Sequence, residues 1–433
     1  MVMRTAFAPQ ERLPAHAPSR EPSWLYLLRA KAAQSFAAEG FPSPRAEEWQ
    51  FTRIADLAQQ RFTPVATPAA VAPPLDGWLL ADAYRLVFVD GLLFPALSVL
   101  PQAAGIICDL AYALQEKPAQ VERHFGRIME RENHGFIHFD TANFRDGVYL
   151  RLAAGSRLDR PLQIVHWGST AESLAATRNL ILLESGAEAE IVEIFLGGDS
   201  SRLSVSAGEI LLGDNAHLTL TKLQCDSERA WHFGGNYLRQ GKSSVFKHHN
   251  FAFGGLLART EVHTRLDEGA ACELNGLFVA DGQRHLDNHV RVEHGEPRAV
   301  SRETYKGIAT GHARGIFQGR VVVHEQAQKS DAAMNSRNLL LSAEAEIDAK
   351  PQLEIYADDV KCSHGVTVGQ LDEESVFYLQ SRGLSDTEAR GLLTFAFANE
   401  MATKLSHAGM RALVEAQLSA KLAPLAPALQ PDS

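Results

Sequence analysis

Two side chains late in the sequence are spaced for joint chemistry. Cys362 and His364 are separated by one residue within the run Ala357 to Gly365, so on an extended chain both project to one face. A soft thiolate beside an imidazole can bind iron or carry a persulfide, and an imidazolium, or the adjacent Lys361, would lower the thiol pKa. The same pair would serve as a thiol-enzyme dyad, although no third orienting group is evident. The competing assignment is structural: Cys362 as a small buried side chain and His364 hydrogen-bonded locally. Gly365 is expected to end the strand and to let another backbone approach closely.

Other chemistry is thinner. Gly235 to Ser243 imitates a phosphate-binding loop but has five residues between Gly235 and Gly241 where four are required, and no helical pattern follows. There is no GxSxG elbow, no HExxH and no dinucleotide fingerprint in a βαβ context. Seventeen histidines include His248, His249, His263, His285, His289 and His294. His285 and His289 lie in a stretch that reads as strand, where residues four apart sit about 13 Å from one another, too far to chelate one ion. Asp281, Arg284 and Asp287 would be the acidic and basic groups of a β-helix enzyme acting on polysaccharide, a class that would also carry a secretion signal.

The elements that must position these residues change character along the chain. Pro22 to Ala38 has helical spacing of Trp24, Leu25, Leu28, Ala32 and Phe36 with Gly40 as a stop, and Ser43 to Trp49 reads as a second helical start. The Pro/Ala-rich residues 1–18 are expected to be loose, and the Pro-rich stretch 63–74 to be a linker or surface loop. Tyr84 to Phe94 reads as two short strands about Asp90-Gly91. Helical patterns return between Leu110 and Glu132. From about Phe144 short β-rich runs end in turn residues. One phrase, Arg178 to Ile191, is echoed at Arg337 to Ile347, and turn-then-strand starts at 187, 216, 242, 270 and 298 step by 29, 26, 28 and 28. That period fits the coils of a β-helix, with a β-sandwich as the alternative. The C-terminal end is helical again: Asp372 to Arg382 closed by Gly383, a capping box at Ser385 to Glu388 opening a long helix, and a third helix from Met410 to Leu422. Such helices would cap the open end of a strand stack. The tail, with Pro424, Pro427 and Pro431, should fray.

Composition narrows the function classes. The 433 residues carry 42 basic and 52 acidic side chains, for a net charge of −10, which argues against a nucleic acid as partner. At 45% hydrophobic and 22% charged the chain is globular. Four cysteines, at 108, 225, 272 and 362, form no close pair, which removes zinc-ribbon, CxxC and disulfide-scaffold readings and points to a reduced, cytoplasmic compartment. No run approaches the roughly 18–20 apolar residues that cross a membrane, and Met1 to Pro18 lacks the apolar core of a secretory signal.

The run Lys350 to Gly369, followed by Leu371 to Gly383, resembles the C-terminal signature of the SufB/SufD family, scaffold subunits of the SUF iron–sulfur cluster assembly system. Asn143 to Tyr149, Leu274 to Gly276, Tyr305 to Gly307, Phe317 to Gly319 and Asn335 to Leu341 match in order, and the resemblance spans about Phe139 to Met401, more weakly Arg45 to Leu57. The Cys-Ser-His-Gly context and Glu47-Glu48-Trp49 are like the SufD branch. The resemblance implies a mainly β fold, a right-handed parallel β-helix over 139–365, flanked by helical N-terminal (1–138) and C-terminal (366–433) regions. It implies a non-enzymatic scaffold that pairs with a SufB-like subunit through β-helix strands and with a SufC-like ABC ATPase through the C-terminal helices, or homodimerises when isolated. His364 is then implied as a ligand for a transient iron–sulfur cluster at the subunit interface, Cys362 as a weaker one, with Lys361, Ser363 and Gly365 beside them. Phe377, Tyr378, Arg382 and Gly383 are implied at the ATPase contact. No nucleotide would be bound by this chain, and no nucleic acid or membrane engaged.

Overall fold

The computed structural model describes residues 21–101, 106–132 and 134–423. The loose start expected over 1–18 and the fraying tail at Pro424, Pro427 and Pro431 lie outside the described residues.

Each turn-then-strand step of the sequence spans one coil, which holds one strand of each of two sheets. Sheet A stacks Val148–Leu152, Ser173–Leu183, Arg202–Leu212, Ala230–Gln240, Leu257–Leu266, His285–His294, Arg314–Val323 and Glu346–Ile355. Sheet B stacks Tyr84–Val89, Leu162–Gly168, Glu188–Gly197, His217–Gln224, Val245–Ala252, Ala271–Ala280, Val300–Ala309, Asp331–Leu340 and Lys361–Gly369. Neighbours within each stack pair in parallel, and the chain alternates between sheets, giving a parallel β-helix of about eight turns. From Glu188 onward the sheet B strands start 26–31 residues apart, the period expected from the sequence. The echoed phrase has a different origin: Arg178-Asn179 lies in sheet A and Arg337-Asn338 in sheet B, so it marks a shared strand chemistry half a coil out of step.

The lumen is filled by Ile191, Leu218, Leu220, Phe246, Leu274, Phe278 and their neighbours, each fully buried aliphatic or aromatic side chain contributing about 1.5–3 kcal/mol. Packing there explains one family-like motif. A Cβ on Gly276 would fall 2.1 Å from the Tyr305 ring of the next coil, so only glycine lets that ring lie flat.

The outer face of sheet A is covered by the N-terminal region. The helix Ser23–Glu39 forms as expected, but the second helical start reduces to one 3₁₀ turn, Glu47–Trp49. Its Trp49 turns down onto Phe136, which stacks on Phe233 of sheet A at 3.7 Å. Within the Pro-rich stretch, Thr63–Pro64 pairs with Ser173 and Leu174 at the edge of sheet A. Asp90 and Gly91 have φ of 49° and 80°, the paired left-handed turn that joins Tyr84–Val89 to Leu92–Leu93.

The C-terminal helices are Glu373–Ser381, Asp386–Ala402 and Ala408–Leu422, the second opened by the Ser385/Glu388 capping box. They do not cap the strand stack. Met401, Leu405, Met410, Val414 and Leu418 pack instead with Val192, Ile194, Leu223, Phe251, Leu277 and Ile308 on the outer face of sheet B. Burying that apolar face outweighs covering the strand edges, and both terminal strands, Glu346–Ile355 and Lys361–Gly369, keep one edge unpaired among the described residues. Ile355, Tyr356 and Val368 are exposed there.

Candidate functional site

Lys361–Gly369 is the last strand of sheet B, paired only with Asp331–Leu340. In its register Cys362 faces Ala332 and His364 faces Met334, both lumen residues only 1% exposed. The two side chains therefore share the lumen-directed face, as their spacing requires. No further coil lies beyond them among the described residues. Cys362 still packs against the lumen core, whereas the His364 imidazole is exposed and holds no hydrogen bond or ion pair among the described residues, so the expected local hydrogen bond is absent. Lys361 and Ser363 are exposed on the same strand.

Two expectations about this strand are corrected. Burial pushes the Cys362 thiol upward, Asp331 adds to this, and the backbone hydrogen bond at Ala332 only opposes it. Neither Lys361 nor His364 delivers the expected lowering, so the thiol-enzyme dyad lacks an activated nucleophile. Gly365 does not end the strand, which runs on to Gly369. A Cβ at Gly365 would sit 3.0 Å from Asn335 Oδ1 of the neighbouring strand; the glycine leaves room for that side chain.

Beyond the strand, Asp372 accepts hydrogen bonds from Glu374 and Ser375 amides and starts the helix Glu373–Ser381. Its Val376 is buried, while Phe377 and Tyr378 are 71% and 56% exposed. Arg382 lies over the Tyr378 ring at 5.2 Å and donates to its hydroxyl at 3.2 Å. Gly383 follows the helix with φ +98°. Leu392 on the next helix is also exposed. The helices thus leave two aromatic side chains and one aliphatic side chain exposed.

The other candidate groups do not assemble. Asp287 is buried and paired with Arg259 at 3.0 Å and His289 at 3.0 Å, whereas Asp281 binds Arg284 and Lys421. The acid pair and basic residue of a polysaccharide-cleaving site are thereby absorbed into structural ion pairs. His285 is buried and pushed down to about 4. Among the described residues no three His, Cys, Asp or Glu side chains are grouped to hold a metal ion. Gly235 lies inside the strand Ala230–Gln240 with no helix after it, so the phosphate-loop imitation forms no anion cradle. No helix among the described residues is long and apolar enough to cross a membrane.

The densest chemistry was not visible in the sequence: it lines the lumen. Lys222 donates to His232 Nε2 at 2.9 Å and to Thr260 at 3.2 Å, and burial lowers its pKa to about 8. Burial lowers His232 to about 4, leaving a neutral ring whose Nδ1 faces Asp226 at 3.4 Å. Burial alone would raise Asp226, but the His232 ring facing it and the charge of Arg202, 2.9 Å away, outweigh it. Glu193 pairs with His166 at 3.2 Å and accepts from Asn179 at 3.0 Å. Glu303 differs: neither of its oxygens has a partner, and burial raises its pKa to about 8. Such groups left no sequence signal, since a parallel strand buried on both faces loses its polar alternation.

Comparison with known proteins agrees with this architecture. Residues 166–397 match the family model described as "SUF system FeS cluster assembly, SufBD core domain", and residues 87–164 match "SufBD protein N-terminal region". The chain is 31% identical to the iron–sulfur cluster assembly protein SufD of Escherichia coli (strain K12) over 395 residues, covering 90% of this chain and 91% of that one. It is 30% identical to an iron–sulfur cluster assembly SufBD family protein of Synechocystis, covering 90% of each, and 27% identical to the chloroplastic protein ABCI7 of Arabidopsis thaliana, covering 95% and 88%. A β-helix with helical ends, matched along its core and at its N-terminal side, places this chain in the SufBD family of iron–sulfur cluster assembly proteins.

Proposed function

We propose that this chain is a non-enzymatic cytoplasmic scaffold on which a transient iron–sulfur cluster is assembled at an interface with a SufB-like subunit. The observation that carries the reading is His364: an exposed, unpaired imidazole on the lumen-directed face of an uncapped terminal strand. An imidazole with no internal partner is free to bind iron. Cys362, half-buried with a raised thiol, is the weaker ligand. The unpaired edges of Lys361–Gly369 and Glu346–Ile355 offer backbone donors and acceptors for strand addition, with Lys361, Ser363 and Gly365 at the seam. Phe377, Tyr378, Arg382 and Gly383 would dock a SufC-like ABC ATPase, whose nucleotide cycle would supply the energy this chain does not. Partner-driven movement of the helices would then rearrange the strand interface and open His364 to iron.

The test is the assembled complex carrying His364→Ala. Visible absorption of the purified complex should lose its cluster bands while subunit composition is kept. Cluster content equal to wild type would sink the role of His364. Phe377→Asp should release the ATPase from the complex while leaving the fold intact.

A further inference from the structure

On the outer face of sheet A, away from the terminal strand, three successive strands bring cations to one place. Arg239 lies beside Arg265 in register, and His263 beside Arg291. Arg239, Arg265, Arg291, His263, Glu132 and Glu293 line a cleft of about 260 Å³ with Tyr237 among its walls. Two guanidinium groups on directly opposed positions repel one another unless an anion lies between them. The local carboxylates do not suffice. Glu132 is taken by His263 at 2.9 Å. Glu293 alone serves Arg265 at 3.8 Å, Arg291 at 2.5 Å and His324 at 3.4 Å. Among the described residues, exposed Arg239 finds only the carbonyl of Arg127 at 3.3 Å, and the buried Nε of Arg291 has no partner.

We propose that this cleft is a binding site for a small oxyanion ligand carrying at least two negative charges, held by Arg239 and Arg265 with Arg291 behind them. Guanidinium forks bind phosphoryl and carboxylate groups through paired charge-assisted hydrogen bonds. The volume is just below that of clefts for drug-sized ligands, which limits the occupant to a compact molecule. The site is independent of the cluster-assembly reading: it lies on a different face and involves none of the terminal-strand residues.

The experiment is isothermal titration calorimetry of the full chain at low salt, with sodium pyrophosphate and citrate as separate probes for the phosphoryl and carboxylate sources. One saturable site is expected for at least one probe. Arg239→Ala and Arg265→Ala should each weaken it by roughly tenfold or more, and Lys242→Ala, an exposed cation paired with Glu268 outside the cleft, by less than about twofold. Arg239 is exposed, so its variant keeps the fold, which a melting curve checks. No saturable binding of either probe, or equal binding by wild type and the Arg239 and Arg265 variants, overturns the proposal.

Discussion

Replacing Glu303 by glutamine should stabilise this protein, and by an amount that depends on pH in a defined way. Glu303 is 1% exposed, has no partner for either oxygen, and is pushed by burial from 4.5 to about 8. Its folded pKa exceeds its unfolded one, so the native state binds the proton more tightly. The native state then loses stability as pH climbs above about 4.5, and the loss levels off once pH passes about 8. At about 1.4 kcal/mol per pH unit, the cost is below about 1 kcal/mol at pH 5, about 3 kcal/mol at pH 7 and about 5 kcal/mol above pH 8. Glutamine has the same shape and no charge to desolvate. Urea unfolding followed by far-UV circular dichroism from pH 5 to 8.5 should therefore show the variant and wild type converging at the acidic end and separating steadily above it. A difference that stays flat across this range would refute the assignment of Glu303 as a buried, unpartnered acid. A wild type more stable at pH 8 would refute it as well.

Further outcomes follow from other buried groups. Arg178→Met strands Asp140 and Glu209, each within 2.9 Å of the guanidinium, and should cost about 3–5 kcal/mol, read as a lower Tm. Lys306→Met removes a buried ammonium that donates to Phe397 O, pairs with Glu400 and lies 4.3 Å from the Phe397 ring. It should cost about 1–3 kcal/mol and speed hydrogen exchange in Asp386–Ala402. Alkylation of Cys362 in the folded chain should be slower at neutral pH than that of a free thiol, since burial raises its pKa; labelling faster than cysteine itself would contradict the site geometry. Cys272, buried in the lumen core, should label only on unfolding.

What could be read from the sequence was what is local. The step between turns exposed the coil length, Asp90-Gly91 marked a hairpin, and Ser385 to Glu388 marked a helix start, because each signal lies within a few residues. The Cys362/His364 pair was legible for the same reason: strand geometry puts alternate residues on one face. Contacts between side chains on different strands left no such trace. Lys222 and His232 meet across the lumen, Arg239 and Arg265 meet along a sheet, and nothing in either neighbourhood of sequence marks them. That the C-terminal helices pack on sheet B and not over the strand ends leaves no mark either, because an amphipathic pattern records that a face is buried but not against what. Gly365 was misjudged because the demand on it comes from Asn335 on another strand.

The pinning of the C-terminal helices determines how a mechanical load would travel. Lys306 of sheet B pairs with Glu400 and donates to the Phe397 carbonyl of the helix Asp386–Ala402, while Lys404 and Lys421 of the helical region pair with Glu273 and Asp281, so these helices are bridged to coils inward of the last one. The helix Glu373–Ser381 hangs between these rivets and the terminal strand, to which only residues 370–372 connect it. A pull on its exposed aromatics divides between the two. The riveted side bears on side-chain contacts spread over a wide face and resists in shear. The other side bears on a short tether to a strand held along a single edge, which yields by peeling. A displacement imposed at Phe377 and Tyr378 would thereby be taken up at the strand that carries His364.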